Sequence, residues 1–213
     1  CALVFLLAQL SLSNMNAYIY PNYFGNASAM SIANLAGTVI VLVLSTFIVK
    51  LSSKVGKKEL SVIGSIISAS AYIILFILHT HNVWVWMALM WTATIGLSMF
   101  NMVIWAMITD VIDDAEVKTG VRQDGTIYSV YSFARKLGQA CSSGISGVLL
   151  SIVGYTTATA YDAKVVDGIY NVTCLVPAAG MILLFFALQF LYPLNKKRVE
   201  ENAAKLRDMR AAK

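Results

Sequence analysis

The sequence predicts an all-α membrane protein with six transmembrane helices, and three observations support that fold class. Apolar residues make up 58% of the 213 residues and charged residues only 13%, about half the charged share of a soluble domain. The apolar residues form runs of about 20 or more, which is long enough for a helix to cross a bilayer. Lys and Arg, finally, gather in alternate connections between these runs, as they do in polytopic membrane proteins.

Each of the six apolar runs defines one predicted helix, with ends accurate to a few residues. Together they form one predicted transmembrane domain over residues 1–194, followed by a basic tail over residues 195–213 that we expect to form a short surface helix with a Glu201–Lys205 pair. In chain order the predicted helices are about Ala2–Phe24, Ala27–Leu51, Leu60–Leu78, Val83–Thr109, Thr126–Val153 and Ile169–Leu194.

The connections between the helices predict the orientation of the chain. Those after the first, third and fifth helices are short or weakly charged, whereas those after the second, fourth and sixth carry most of the 16 Lys and Arg residues. Because basic loops stay on the cytoplasmic side, we expect both ends of this segment to be cytoplasmic in a multi-pass protein of the cell inner membrane. The chain begins at Cys1 inside an apolar run, so we expect it to start within a longer protein.

Composition also narrows the functional class. The formal charge of +5 does not indicate nucleic-acid binding, because the basic residues are not interleaved with aromatic residues on a soluble face. The three cysteines lie in or beside apolar runs without metal-ligand spacing and are interpreted as small core residues. His79 and His81 fall in a short polar segment that we interpret as an interfacial turn.

Lys136 is the most informative single residue. It lies with Arg135 about 11 residues into an apolar stretch, which places it on the order of 16 Å deep in the bilayer. A cation at the bilayer centre costs about 2.5–3.5 kcal/mol on insertion scales. Snorkelling to the interface is one interpretation of both residues. The other, which we favour for Lys136, is that it faces a polar cavity, since Ser129, Ser132 and Ser143 recur on its helix face.

Two further helices carry polar residues at helical spacing. The first has Gln9, Ser13, Asn16 and Tyr20, and the fourth has Asn101 and Trp105 one turn apart. Each amide alone could simply bond a neighbouring helix. Together with the fifth helix, which also presents Tyr128 and Tyr131, they predict one wet cavity bordered by the first, fourth and fifth helices. Amides, hydroxyls and aromatic rings are the groups that bind sugars.

A run of acidic and basic residues follows the fourth predicted helix. We interpret it as a cytoplasmic charge lock that pairs with the basic loops, although a metal site or an acid–base pair is conceivable from the residue types alone. Its members are Asp110, Asp113, Asp114, Glu116, Lys118, Arg122 and Asp124.

The segment DVIDDAEVKTGVRQDGTIYSVYSFARKLGQA resembles the signature of the glycoside–pentoside–hexuronide:cation symporters, the family of the major facilitator superfamily that contains melibiose permease. SKVGKKE resembles the short basic loop of that superfamily, with Ser53 where an Asp is common. NAYIYPNYF resembles the family's polar, aromatic seventh helix. The resemblance covers essentially the whole chain but only half of the family's protein.

The resemblance implies that the six helices are the seventh to twelfth of a twelve-helix fold, with an N-terminal six-helix half as partner. Lys136 matches the lysine at the sugar and cation cavity, and Tyr131 and Ser132 match positions that approach the sugar. Asn101 replaces a tryptophan. The acidic run, with Asp110, Glu116 and Arg122 among its members, matches the cytoplasmic loop. The carboxylates that bind the coupling cation, Na⁺ or H⁺, are expected in the missing half, and no cofactor is expected.

These expectations define the predicted function, which is secondary active transport of a sugar or glycoside coupled to a cation by alternating access. Two alternatives come from other classes. One is a membrane-embedded enzyme, for which the sequence offers no nucleophile–base or metal cluster within the membrane. The other is a non-transporting sensor or assembly subunit. The adjacent cations Arg135 and Lys136 could favour an anionic glycoside such as a uronide.

Overall fold

The computed structural model describes residues 1–211 and consists of seven α-helices. The helices are joined by short connections, of which Gly56 alone is the shortest. The tail forms the last helix. The helices are α1 (Ala2–Tyr18, extended by a π-helical turn over Ile19–Tyr23), α2 (Ala27–Val55), α3 (Lys57–Leu78), α4 (Val83–Thr119), α5 (Asp124–Ile152), α6 (Ala163–Phe186, extended by a π-helical turn over Ala187–Leu191) and α7 (Lys196–Ala211).

Five of the six predicted spans are long and apolar enough to cross a membrane. Helix α5 has the length, at 29 residues, but is not among the five because polar residues interrupt its apolar stretch. That α5 crosses the membrane therefore stays a prediction, as does the division into a 1–194 domain and a 195–213 tail. Residues 212 and 213 of that tail lie outside the described residues.

The largest error in the predicted elements is the end of α4. We predicted that it ends near Thr109, with a charged loop after it, but the helix continues to Thr119. The physical reason is that the charged run alternates with Val111, Ile112 and Ala115 at helical spacing, so acidic residues lie on one side and apolar residues on the other. Gly120, at φ +74°, ends the helix in the left-handed conformation that glycine adopts without strain.

Helices α1, α3, α4 and α6 form the packed centre, with α2 lying against α4 and α5 against α1. The tightest approach joins α3 and α4, where Gly64 and Gly96 face each other and Ser68 donates a 2.7 Å hydrogen bond to the carbonyl of Ala93. A Cβ atom built on Gly64 would lie 2.5 Å from the carbonyl oxygen of Gly96. Small residues at both positions are therefore required for the two backbones to touch.

The two ends of the helix bundle differ in chemistry. The charged end is formed by the ends of α2, α4 and α6 together with α7. At the opposite end, the His79–Asn82 turn lies against aromatic rings. There the His81 ring stacks on Tyr23 at 5.1 Å between centroids, and Tyr170 donates its hydroxyl to the carbonyl of Leu75 at 2.7 Å. The predicted interfacial turn is thus an ordered, aromatic-packed connection.

The cysteines only partly follow the expectation of core residues. Cys174 is buried, but Cys1 and Cys141 are exposed. Cys1 precedes α1 at the surface, and Cys141 lies on the face of α5 that turns away from α1. The prediction was wrong for these two because apolar surroundings in sequence do not distinguish a core-facing position from an outward-facing one in a membrane protein.

Candidate functional site

A polar cleft of about 550 Å³ lies between α1, α2 and α4. Gln9, Ser13, Asn16 and Tyr20 of α1 form one wall, as predicted from their helical spacing, and Asn101 of α4 lies across from them. We call this space the central cleft. It opens at the surface, since Ser13, Asn34 and Asn101 are exposed.

The third wall of the central cleft is α2 and not α5. Asn34 and Thr38 of α2 line it, while Lys136 and the other predicted residues of α5 do not. The reason is the placement of α5, which packs against another side of α1, where Asn14 donates a 3.1 Å hydrogen bond to Ser146 and Gly138 fits against Leu3 and Leu6. Of the first, fourth and fifth helices predicted to border one cavity, the first and fourth line this cleft, and a role of α5 in the site stays a prediction.

No charged side chain is among the described residues that line the central cleft. The polar groups are amides and hydroxyls, and one of them, Oδ1 of Asn16, is buried without a hydrogen-bond partner in the described part of the chain. Thr94 and Ser98 donate their hydroxyl protons to backbone carbonyls of α4 at 2.9 and 2.7 Å, which leaves their oxygens as acceptors. The cleft therefore presents neutral donors and acceptors to an uncharged polar ligand.

Arg135 belongs to a separate cluster where α5 meets α4. Its guanidinium donates a 3.0 Å hydrogen bond to the hydroxyl of Tyr131 and lies 5.3 Å from the ring centroid of Trp105. The two rings meet edge to face at 5.0 Å. A guanidinium held against two aromatic faces is stabilised by cation–π attraction. Arg135, Tyr131 and Trp105 thus form a contact between two helices.

Lys136 points the other way, onto an exposed polar face of α5. Ser129, Ser132 and Ser143 share this face and are exposed as well, and Tyr128 lies near its edge. Within residues 1–211, no acidic side chain or hydrogen-bond acceptor pairs with the Lys136 ammonium. The face is distinct from the apolar exposed side of α5, which carries Val130, Phe133 and Val148. Helix α5 therefore presents an unpartnered polar surface beside an apolar one.

The acidic run forms three groups of ion pairs at the charged end, and its role as a charge lock stays a prediction. Asp110 binds Lys57, from the junction of α2 and α3, at 2.6 Å. Arg122 binds three carboxylates, those of Asp113 at 2.8 Å and of Glu116 and Asp124 at 2.9 Å. The hydrogen bond to Asp113, followed by those to the other two, raises the pKa of Arg122 above its ordinary value. These contacts hold the turn between α4 and α5.

The third group includes residues of the tail that the sequence did not indicate. The carboxylate of Asp114 accepts from Lys118 at 2.6 Å and from the buried Asn202 of α7 at 2.9 Å, and lies 3.3 Å from Arg198. Arg210 reaches Glu116 at 3.4 Å. The tail is therefore a helix docked on α4. The predicted Glu201–Lys205 pair does not form, since Glu201 lies 3.9 Å from Lys197 instead.

Replacing Asn202 with alanine is expected to loosen α7 from α4. The change removes a buried hydrogen bond to a carboxylate, which contributes about 1.5–3 kcal/mol. Hydrogen–deuterium exchange of the full-length protein in detergent should show faster exchange confined to α7. Glu201→Gln, an exposed change one residue earlier, is the matched control. Equal protection of α7 in both variants would contradict the assigned contact.

Replacing Arg122 with glutamine is expected to lower the thermal stability of the turn between α4 and α5, because three carboxylates lose their shared cation. The pairs are partly exposed, so screening should weaken them. The difference in melting temperature from the unchanged protein should therefore shrink in about 1 M NaCl, where the Debye length is about 3 Å. The melting temperature of Arg122→Lys should lie between those of the unchanged protein and Arg122→Gln, since lysine keeps the positive charge but lacks the planar guanidinium that binds several carboxylates at once. A difference independent of salt would rule out this electrostatic explanation.

The chain was compared with known proteins. The family described as MFS/sugar transport protein, within the major facilitator superfamily, matches residues 1–196. The chain belongs to this family. Among the relatives of the chain, the "Uncharacterized symporter YjmB" of Bacillus subtilis is 35% identical over 197 residues, which cover 92% of this chain and 40% of the relative.

A second relative is the "Glucuronide carrier protein homolog" of Escherichia coli, which is 33% identical over 170 residues, covering 80% of this chain and 36% of the relative. The chain thus spans well under half the length of both. The predicted membership of a sugar-symporter family of the major facilitator superfamily is confirmed, as is the prediction that the protein is not an enzyme, since these relatives are transporters.

Several residues that line the site were missed by sequence reasoning. They are Asn34 and Thr38 on α2 and Trp91, Thr94 and Ser98 on α4. A signal was present, because Asn34 and Thr38, and likewise Thr94 and Ser98, stand four residues apart and so share a helix face. It was overlooked on α2 because these residues lie inside a strongly apolar run, with a mean hydropathy of 2.3.

Proposed function

We propose that the chain is the C-terminal half of a cation-coupled sugar or glycoside transporter. In this proposal its six long helices are the seventh to twelfth of twelve, and two six-helix halves alternate access to a site between them. Both ends of the segment are cytoplasmic, and the coupling cation, Na⁺ or H⁺, binds mainly to carboxylates of the other half. The coverage of 40% and 36% of two symporter and carrier relatives leaves room for that half.

The proposal rests mainly on the distribution of polar surface, which lies at the central cleft and on α5 and not on the outer sides of α3 and α6. The central cleft and the Lys136 face of α5 are both polar and both open. By contrast, α3 and α6 present apolar side chains outward, including Ile66, Ile77, Leu183 and Phe186. A polar surface at membrane depth has to meet water, a solute or another protein segment. A second half that encloses an aqueous cavity meets that requirement.

The central cleft supports a sugar as the solute. Its amides and hydroxyls can bind hydroxyl groups, and Trp91 and Met90 supply apolar surface for the face of a sugar ring. The Lys136 ammonium lies on the polar face of α5, outside the central cleft, and its positive charge would favour an anionic glycoside. A relative named for glucuronide is in keeping with that arrangement.

The test measures uptake by the full-length protein, which comprises this chain and the proposed N-terminal half, after reconstitution in liposomes. Radiolabelled methyl β-D-glucuronide and methyl β-D-glucoside serve as an anionic and a neutral probe, each measured with an inward Na⁺ gradient, an inward H⁺ gradient or neither. We expect accumulation of at least one probe that depends on one of the gradients. Absence of uptake of both probes under all conditions, in protein that is monodisperse, would overturn the proposal of glycoside transport.

The charge groups at the charged end are proposed to act as a gate. Lys57–Asp110 joins two helices, and Asn202 and Arg198 of α7 join a third to α4. Such pairs can break and re-form as the halves move, because Lys57 and Arg198 keep part of their surface exposed while their acidic partners are buried. In this proposal Asp110, Asp113, Glu116, Lys118 and Arg122 hold the cytoplasmic side closed in one state.

A further inference from the structure

Helix α2 presents a polar face that neither the sequence motifs nor the packing of the bundle explains. Asn34 and Thr38 lie on this face and are both exposed to the central cleft. The side-chain amide of Asn34 has no hydrogen-bond partner among the described residues, and the hydroxyl of Thr38 donates only to the carbonyl of Asn34, at 2.9 Å. The exposed side of α2 that borders this face is apolar, with Leu35, Val39 and Val43. An amide with no internal role that lines a polar cleft is free to bind a ligand.

The position of this face is fixed by α4. Trp91 donates the N–H of its indole to the carbonyl of Ala33 at 3.2 Å, one residue before Asn34. The bond and the packing of α2 on α4 set the rotation of α2, so that Asn34 and Thr38 line the cleft that Asn16 and Asn101 border from the other helices. The groups therefore stand on three different helices around one space, as the contacts of a ring with hydroxyls on several sides require.

The α2 wall of the central cleft has open space at Gly37, between Asn34 and Thr38. Gly37 also lines the central cleft, and no heavy atom lies within 4 Å of the position that a Cβ atom would take there. A glycine in the middle of a helix is less favourable than alanine by about 0.5–1 kcal/mol, and no backbone contact or left-handed conformation requires one here. The missing side chain leaves open volume beside Asn34 and Thr38.

We propose that the Asn34, Gly37 and Thr38 face of α2 is a second wall of the substrate site, where the Asn34 amide and the Thr38 hydroxyl bind sugar hydroxyls and Gly37 leaves room for the ring. This inference rests on the proposed function, since it assigns α2 to the binding of the transported glycoside. It adds three residues that determine specificity to a site expected on α1, α4 and α5.

The first test fills the gap. Gly37→Leu should abolish uptake of the glycoside probe that the unchanged protein accumulates and raise its apparent Kd at least about tenfold, while the protein remains monodisperse. The matched control is Gly144→Leu on α5, where a Cβ atom likewise has no heavy atom within 4 Å but the position does not line the cleft. If Gly37→Leu fails to fold while Gly144→Leu folds, the face is a packing surface and the proposal is overturned. Normal uptake by Gly37→Leu overturns it as well.

The second test identifies the contact chemically. Asn34→Leu and Thr38→Val remove the polar groups with little change in shape, and each should raise KM about five- to twentyfold, the loss expected for one or two hydrogen bonds. Thr38→Ser should retain the KM of the unchanged protein. A series of monodeoxy analogues of the probe should contain one that loses affinity in the unchanged protein and loses none further in Asn34→Leu. This comparison uses ratios of KM values, so it does not depend on how much of each variant folds.

The outcomes separate the two proposals. If the unchanged protein accumulates neither glycoside probe, the proposed function fails. If it accumulates a probe and Asn34→Leu, Thr38→Val and the control Ser45→Ala all behave as the unchanged protein does, the function stands and the role of α2 is overturned. Ser45 suits this purpose because it is exposed on α2, does not line the cleft and donates only to the carbonyl of Leu42.

Discussion

Gly96→Leu is expected to prevent folding of most of the protein. A Cβ atom on Gly96 would overlap the carbonyl oxygen of Gly64 and the hydroxyl of Ser68 on α3. The Ser68 hydroxyl could rotate away, but the carbonyl oxygen of Gly64 and the backbone nitrogen of Ser68 could not, so α3 and α4 would have to separate. That separation would break the hydrogen bond from Ser68 to Ala93 and loosen the packed centre. The yield of monodisperse protein in detergent should fall at least about tenfold, as expected when a destabilised chain is removed before it folds.

A smaller substitution at Gly96 and the same substitution at another glycine test whether the contact between α3 and α4 is the cause. Gly96→Ala should reduce the yield less than leucine, and Gly144→Leu on α5 should leave it unchanged, because a Cβ atom there meets no heavy atom within 4 Å. Overpacking typically costs about 1–3 kcal/mol where side chains can yield, and more is expected where a backbone carbonyl is the obstacle. A Gly96→Leu protein with normal yield and stability would show that α3 and α4 do not touch at this point.

Lys136→Ala is expected to reduce cation-coupled glycoside uptake at least about tenfold, which corresponds to about 1.4 kcal/mol. The ammonium is exposed on a polar face without a partner in the described part of the chain. A lone cation at membrane depth costs about 2.5–3.5 kcal/mol, and in the proposed transporter carboxylates of the other half offset that cost. Uptake of methyl β-D-glucuronide and methyl β-D-glucoside by the full-length protein, with and without the coupling gradient, measures the effect.

Two controls accompany the Lys136 measurement. Lys136→Arg keeps the charge and should retain part of the coupled uptake, whereas Lys205→Ala removes a lysine of α7 and should have no effect. If Lys136 acts in cation coupling, the variant should lose accumulation more than it loses exchange of probe without a gradient, whereas equal loss of both would indicate a role in substrate binding. Full coupled uptake by Lys136→Ala would refute the assignment.

The fold class and the number of long helices could be predicted from the sequence because both depend on local patterns. An apolar run long enough to span a bilayer indicates a helix wherever it packs. The end of α4 could not be placed by hydropathy alone, since the chain becomes charged at Asp110 but stays helical to Thr119. The left-handed Gly120 marked the true end, and helix-capping reasoning would have found it.

The site was harder to predict because it depends on which helices become neighbours. The polar spacing of α1 correctly placed Asn16 and Tyr20 on one cleft wall. The same reasoning named α4 and α5 as the other borders, and of these α4 lines the cleft, together with α2, which was not named. Periodicity identifies a polar face but carries no information about the helix that it meets. Likewise, the contact between Asn202 and Asp114 joins residues 88 positions apart, and nothing local to either residue specifies the other.

The length of α4 has a mechanical consequence. At 37 residues it is about 55 Å long and exceeds the hydrocarbon core of a bilayer by about 25 Å. It carries Asn101 at the central cleft and Asp110 and Asp114 at the charged end on one uninterrupted rod. A tilt of about 10° around its middle would displace Asp110, about 14 Å from that point, by about 2 Å, which is enough to lengthen the 2.6 Å contact between Lys57 and Asp110 beyond hydrogen-bond distance. A small tilt of α4 at the central cleft would therefore make or break ion pairs several turns further along the same helix.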